Sequence, residues 1–160
     1  MRVSAKVDYA VRAAVELAAA GGDLVKGEQL SQAQGIPLKF LENILIELRQ
    51  AGLIRSQRGP EGGYWLGRSA AEISVADVIR AVEGPLASVR GERPEQLDYA
   101  GSAEALQKVW IALRGAMRDV LETVTLEDLA KDSLPNPVEK RVKDPDSWSP
   151  TESRLGARSR

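Results

Sequence analysis

The sequence predicts a mainly α-helical protein with one small β-hairpin, arranged as a winged helix-turn-helix and followed by a long C-terminal helix. Three observations support this prediction: short amphipathic segments separated by glycines, two β-prone runs around a Gly- and Pro-rich loop, and heptad-spaced apolar residues in the second half. The chain has 160 residues, of which 43% are hydrophobic, so it can form the core of one ordinary domain.

The first two helices are predicted over residues 4–20 and 27–34. The second is short, directs Leu30 and Ala33 inward, and ends at Gly35. In the first helix, apolar residues recur at spacings of four, three and four, which places them on one face. That predicted inward stripe is Val7, Val11, Ala14 and Ala18, flanked by Ala10 and Leu17.

A third helix over residues 37–50 has two clearly different faces. Its predicted core stripe follows the i, i+3, i+4, i+7 pattern and consists of Leu41, Ile44, Leu45 and Leu48. The opposite face has Glu42 at its edge and consists of Lys39, Asn43, Ile46 and Gln50. A short helix, a glycine turn and a helix with a polar outer face are the layout of a helix-turn-helix.

A β-hairpin is predicted next, with strands over residues 53–58 and 64–68. The connecting loop, residues 59–63, contains three glycines and a proline, which is typical of a hairpin turn. This hairpin would form the wing. A helix then begins at a capping-box-like Ser74-Val75-Ala76-Asp77 and ends at Gly84.

The second half of the chain predicts one long helix and one short one. The long helix has an apolar seam over about two and a half heptads: Leu106, Trp110, Leu113, Met117, Val120 and Val124. This seam could pack against its own domain, but a helix of this length after a small winged domain favours a homodimer. The predicted units are 1–84 (winged helix-turn-helix), 85–101 (loop at the sensor position, without cysteines), 102–134 (dimerisation helices) and 135–160 (disordered tail).

Composition excludes several classes of function. The chain has no cysteine and no histidine, so thiolate or imidazole metal sites, Cys/His nucleophiles and a Ser-His-Asp triad are excluded. We expect no catalytic residues, no metal and no cofactor. Charged Asp8, Arg12 and Glu16 interrupt the N-terminal segment, and no apolar run spans a bilayer, so a cytoplasmic protein without membrane contact is expected.

Several segments together resemble the Rrf2 family of bacterial transcription regulators. The resemblance covers about residues 1–134, and the Arg-Gly…Gly-Gly-Tyr loop is its most specific motif. It implies a winged-helix protein that binds double-stranded DNA as a homodimer at an inverted-repeat operator. The matching stretches are 6–11, 35–43, 48–54, 58–64 and 73–84.

The resemblance implies that Lys39 and Asn43 enter the major groove. Asparagine pairs bidentately with adenine, and lysine reaches guanine or phosphate. Glu42 would accept a hydrogen bond from cytosine or repel a wrong base, and Phe40 would mostly pack, with a possible thymine-methyl contact. The alternative is an ordinary solvated helix face.

The wing and the first helix supply further candidates. An arginine at position 58 suits a narrow minor groove, where the negative potential is focused, although an ion pair with Glu61 would be the simpler arrangement. Gly59 and Gly62 would shape the tip. Lys6 is expected at a backbone phosphate, where it would position the protein without reading sequence.

One departure from the family pattern concerns sensing. Cluster-binding members have three cysteines in the interval that corresponds to 85–101, and this chain has none. The resemblance therefore implies DNA binding without an iron–sulfur cluster. Within the family, the sequence is more similar to a cysteine-metabolism repressor that has no cluster. The resemblance therefore implies cysteine synthase or a small metabolite as the partner. A protein-interaction scaffold without DNA binding stays open as the alternative.

Overall fold

A computed structural model describes residues 2–149. These residues form mainly helices around a two-stranded antiparallel hairpin, which confirms the predicted fold class. The elements are α1 (Ala5–Ala19), α2 (Gly27–Gln34), α3 (Leu38–Gln50), β1 (Ile54–Gln57), β2 (Gly63–Leu66), α4 (Val75–Glu83), α5 (Leu106–Leu121), α6 (Leu126–Ala130) and α7 (Asn136–Lys143). In the part of the chain described, no helix is long and apolar enough to cross a membrane.

Helix α1 lies at the centre of the core and contacts α3, α4 and α6. Its buried face is Val7, Ala10, Ala13, Ala14 and Leu17. The buried face is therefore centred on the predicted flanking residues Ala10 and Leu17, whereas Val11 and Ala18 of the predicted stripe are only partly buried. Alanine side chains let neighbouring helices approach α1 from more than one side, which widens the buried face. The prediction for Ala33 of α2 was also wrong, since this residue is exposed and Leu30 alone anchors that helix.

Helix α3 follows its sequence pattern closely. The four predicted core residues, Leu41, Ile44, Leu45 and Leu48, are at most 1% exposed. Ser31 holds the turn before α3, because its hydroxyl donates to the Ile36 carbonyl at 2.6 Å and its own carbonyl accepts from the Ile36 amide at 3.0 Å. The orientation of α3 relative to α2 is thus fixed by apolar packing, by one side-chain hydrogen bond and by one backbone hydrogen bond.

The hairpin is shorter than predicted and is attached to the domain. Its register runs from Ile54 opposite Leu66 to Gln57 opposite Gly63. Tyr64 also forms a bridge with Val25, with amide–carbonyl distances of 2.8 and 3.0 Å in the two directions. This third stretch of backbone ties the wing to the segment before α2.

After α5 the chain returns to the helix-turn-helix core. The Val75 amide donates to the Val124 carbonyl, and the Leu126 amide donates to the Ile73 carbonyl, both at 2.9 Å. Leu126 is fully buried and Val124 is 5% exposed. Val124 therefore does not continue the predicted apolar seam: α5 ends at Leu121, and this valine packs within its own chain.

The predicted disordered tail over 135–160 needs correction where the structure describes it. Residues 136–143 form α7, in which Val138 is 8% exposed. A proline in the first turn, three basic residues in the last turn and a 3.1 Å ion pair between Lys143 and Glu139 stabilise this helix. The prediction of disorder was based on low apolar content, which takes no account of these local contributions to helix stability. Residues 150–160 lie outside the described part.

Candidate nucleic-acid interface

The outer face of α3 is exposed as predicted. Lys39, Glu42 and Asn43 all point away from the core, and Ile46 is 44% exposed. Because the other side of the same helix is completely buried, α3 is a rigid support for these side chains. A helix face of this width fits the major groove of B-form DNA.

Phe40 lies at the border between this face and the core. It is 44% exposed, and its ring meets Tyr9 of α1 edge to face, with centroids 5.7 Å apart. The guanidinium of Arg12 covers the same tyrosine ring at 5.2 Å. This packing agrees with the expectation that Phe40 mainly contacts protein, and it fixes the start of α3 against α1.

Lys6 has partners inside the chain. Its ammonium donates to the Val82 carbonyl of α4 at 2.8 Å and pairs with the Glu47 carboxylate of α3 at 2.7 Å. The Lys6 and Glu47 side chains are each about one-third exposed. The structure therefore gives Lys6 an intramolecular role, joining α1, α3 and α4. Its phosphate contact stays a prediction.

The tip of the wing presents Arg58 to solvent. Within residues 2–149 this arginine forms no salt bridge, so the alternative pairing with Glu61 is not made. Gly59 has φ +105°, which a side chain would strain. A Cβ at Gly62 would clash with the Gln57 carbonyl oxygen and lie 2.8 Å from the Arg58 carbonyl carbon. Both glycines therefore shape the loop that carries Arg58.

Two basic residues that the sequence analysis did not select share a groove with Arg58. This groove, about 500 Å³ in volume, lies between the start of α2 and the wing, and its lining includes Lys26 and Arg49. Arg49 also donates to the Ser56 hydroxyl at 3.2 Å, which links the end of α3 to β1. Neither residue belongs to a periodic pattern, so only the folded arrangement reveals them.

Comparison with known proteins identifies the class of protein that carries this interface. The profile of the Rrf2 family, described as iron-dependent transcriptional regulators, matches residues 3–132. The chain belongs to the Rrf2 family. The match runs from the segment before α1 to the end of α6, so it includes the whole helix-turn-helix and the wing.

Individual relatives agree with this assignment. A Mycobacterium tuberculosis protein named as an HTH-type transcriptional regulator is 54% identical over 145 residues, which are 90% of each chain. The structure of CymR, the global cysteine regulator of Bacillus subtilis, superposes with a TM-score of 0.68 at 34% identity, covering 82% of this chain and 98% of that one. An IscR from T. potens gives a TM-score of 0.66 at 33% identity, covering 83% and 88%.

These findings confirm that the chain is a member of the Rrf2 family, as its resemblance implied, and that it has the winged helix-turn-helix fold. This Rrf2 protein is a DNA-binding transcription regulator and not an enzyme.

The iron named in the family description does not fit the residues of this Rrf2 protein. Iron–sulfur clusters are held by cysteine thiolates, with histidine as the known substitute, and the chain has neither residue. Nor do residues 2–149 contain a group of three or more acidic side chains placed to share a metal ion. Pro85, Leu86 and Arg93, in the interval that carries cysteines in cluster-binding members, line a cavity with other arginines.

Proposed function

We propose that this Rrf2 regulator is a homodimeric repressor that reads an inverted-repeat operator without a cluster. The observation that carries the proposal is the pairing of an exposed polar face on α3 with a wing whose Arg58 has no ionic partner among the described residues. Two such surfaces related by a twofold axis would fit half-sites whose centres lie ~34–36 Å apart or at a multiple of that distance.

In this proposal the bases are read from α3. Lys39 and Asn43 contact base edges in the major groove, and Glu42 discriminates by accepting from cytosine or by repulsion. Phe40 contributes mainly through its packing on Tyr9. Ile46, on the same exposed face, offers an apolar contact of the kind that a thymine methyl accepts.

The wing and the groove beside it supply the backbone contacts. Arg58 enters the minor groove, held there by the loop that Gly59 and Gly62 shape. Lys26 and Arg49 line the adjacent groove, where a DNA phosphate would meet both cations. Each such contact adds affinity that does not depend on sequence and falls with increasing salt.

The dimer is proposed to form through α5. None of the side chains of this helix is buried in the single chain, and Val109 is 54% exposed. The exposed apolar side continues the predicted seam, since Ala112 and Ala116 are also exposed. The seam residues Leu106, Trp110, Leu113, Met117 and Val120 are partly exposed. A second copy of α5 would cover this face by helix–helix packing.

Replacing Asn43 with alanine tests the reading face. We expect the change to cost ~1–3 kcal/mol on the operator and to relax preference at one base pair per half-site, because a bidentate pair is lost. Fluorescence anisotropy with operator and scrambled duplexes measures both effects. Asn136→Ala, at the exposed start of α7, is the matched control and should bind like the parent. Equal affinity of parent and Asn43→Ala for both duplexes would contradict this assignment.

The same duplexes separate a DNA-binding regulator from a scaffold. The promoter region of the protein's own gene is the first operator candidate. If the parent protein shifts neither this duplex nor any genomic fragment recovered with it, the scaffold alternative becomes the better interpretation.

The signal is proposed to enter through a partner protein or a metabolite. The similarity to CymR, named as a global cysteine regulator, makes cysteine synthase the first candidate and sulfur metabolism the first candidate target. We expect purified cysteine synthase to change operator affinity by about 5–150-fold, the usual range of allosteric coupling. Anisotropy with and without the enzyme measures the change, with serum albumin as the control protein. No effect at saturating enzyme would leave a metabolite as the effector.

A further inference from the structure

A polar cavity of about 480 Å³ lies between the C-terminal end of α4, the following loop and α5. Of the residues that line it, one is acidic, Glu95, and Leu86 supplies a buried apolar wall. Four arginines from three different parts of the chain also line it: Arg80, Arg93, Arg114 and Arg118. This volume is in the range of pockets that hold small molecules.

The carboxylates around the cavity offset only part of this charge. Arg114 pairs with Glu95, and Arg80 pairs with both Glu122 and, at 3.7 Å, Asp77. Arg118 shares Glu122 at 3.0 Å. Arg93 forms no salt bridge with any residue in the range 2–149. Four permanent positive charges therefore face three carboxylates, and one guanidinium is uncommitted.

The two glutamates keep their negative charge and so hold the arginines in position. A hydrogen bond from its own backbone and another from Arg114 lower the pKa of the Glu95 carboxyl. A hydrogen bond from Arg80 lowers the pKa of the Glu122 carboxyl. Because a guanidinium has five N–H donors and each pair uses only some of them, donors remain for a ligand.

The geometry points to a site for a small metabolite with at least two negative charges, carried by carboxylate or phosphate groups. Planar guanidinium groups bind both groups through paired hydrogen bonds, and several arginines around one cavity favour a multiply charged ligand over a single charge. Of the three paired carboxylates only Glu95 lines the cavity, beside four arginines, so the walls offer no comparable site for a cation.

The cavity is joined to the reading helix by a short path of contacts. Arg80 lies on α4, two residues before Val82, whose carbonyl accepts from Lys6, which in turn pairs with Glu47 of α3. A ligand that draws Arg80 inward therefore acts on α4, the helix whose Val82 carbonyl binds Lys6. By linkage, any effect of the ligand on DNA affinity must be matched by an effect of DNA on ligand affinity.

The cavity lies beside the proposed dimer face. At 100° per residue, Arg114 lies ~140° around α5 from Val109 and ~40° from the seam residue Trp110. All the residues that line the cavity belong to one chain, so the anion site is formed without a partner subunit and can be tested in the absence of DNA.

Isothermal titration calorimetry of the full chain at low salt tests the site. The probes are inorganic phosphate, succinate and, as a singly charged control, acetate. We expect saturable binding of phosphate, succinate or both, with acetate much weaker, and the preferred probe distinguishes a phosphate from a dicarboxylate ligand. Arg93→Gln should weaken binding about tenfold or more, because a charged hydrogen-bond donor is lost. Arg141→Gln on α7, also an exposed arginine, should leave it unchanged.

A second variant separates recognition from a structural effect. Glu95→Gln removes the carboxylate that competes for Arg114, so it should tighten binding of the same probe several-fold, which general destabilisation would not do. Circular dichroism verifies that each variant is folded. The proposal is overturned if neither phosphate nor succinate gives saturable heat up to about 10 mM. It is equally overturned if Arg93→Gln and Arg141→Gln weaken binding to the same extent, or if Glu95→Gln weakens it.

Discussion

Val109→Lys in α5 should convert the protein to a monomer and reduce operator affinity by ~100-fold or more. Val109 is 54% exposed in the single chain, so a lysine is tolerated there without loss of the fold. In the proposed dimer the same ammonium would enter an apolar interface, where an unpaired charge costs several kcal/mol. Operator affinity falls because two linked half-site contacts bind ~10²–10⁴ more tightly than one.

The matched control for this change is Val142→Lys on α7. Val142 is 42% exposed, so the two variants make the same substitution at similarly exposed positions. Analytical ultracentrifugation gives the oligomeric state, and fluorescence anisotropy gives operator affinity. The control should remain dimeric and bind normally. A Val109→Lys protein that sediments as a dimer would place the interface outside this face of α5.

Gly62→Ala should destabilise the wing and displace Arg58. The added methyl carbon would clash with the Gln57 carbonyl and lie 2.8 Å from the Arg58 carbonyl carbon, and neither backbone atom can rotate away as a side chain can. Overpacking of this kind typically costs ~1–3 kcal/mol. We therefore expect a lower thermal midpoint and a loss of operator affinity close to that of Arg58→Ala.

Gly115→Ala gives the opposite expectation and serves as the control. A Cβ at Gly115 meets nothing within 4 Å, and the residue lies inside α5. Alanine there should stabilise the helix by ~0.5–1 kcal/mol. Calorimetric melting and operator anisotropy of both variants measure these effects. If Gly62→Ala melts and binds like the parent, the backbone approach at the wing tip does not constrain Arg58.

Local patterns predicted the two elements proposed to contact DNA, because those elements obey short-range rules. The stripe of α3 follows helical periodicity, and the wing loop is marked by its glycines and proline, so both could be located from sequence. The exact buried face of α1 could not be predicted, because the helices that pack against α1 from several sides decide which of its alanines are buried.

Polar contacts between residues distant in the chain could not be predicted from the sequence either. The intramolecular partners of Lys6, Glu47 and Val82, are distant from it in the chain and reach it only on folding. The same holds for Lys26 and Arg49 in the groove beside the wing, and for the arginines around the cavity at α5. The spacing of these residues along the chain does not indicate which of them become neighbours in the fold.

The return of α6 to the core has a consequence for how this protein unfolds. Leu126 is fully buried and belongs to the same apolar cluster as residues of α1 and α3, although the segment that contains α5 separates it from them in sequence. Removing everything after residue 84 would therefore leave a hole in the N-terminal module, and such cavities cost a few kcal/mol each. The helix-turn-helix and α6 thus share one apolar core, in which loosening α6 lowers the free energy of opening α1.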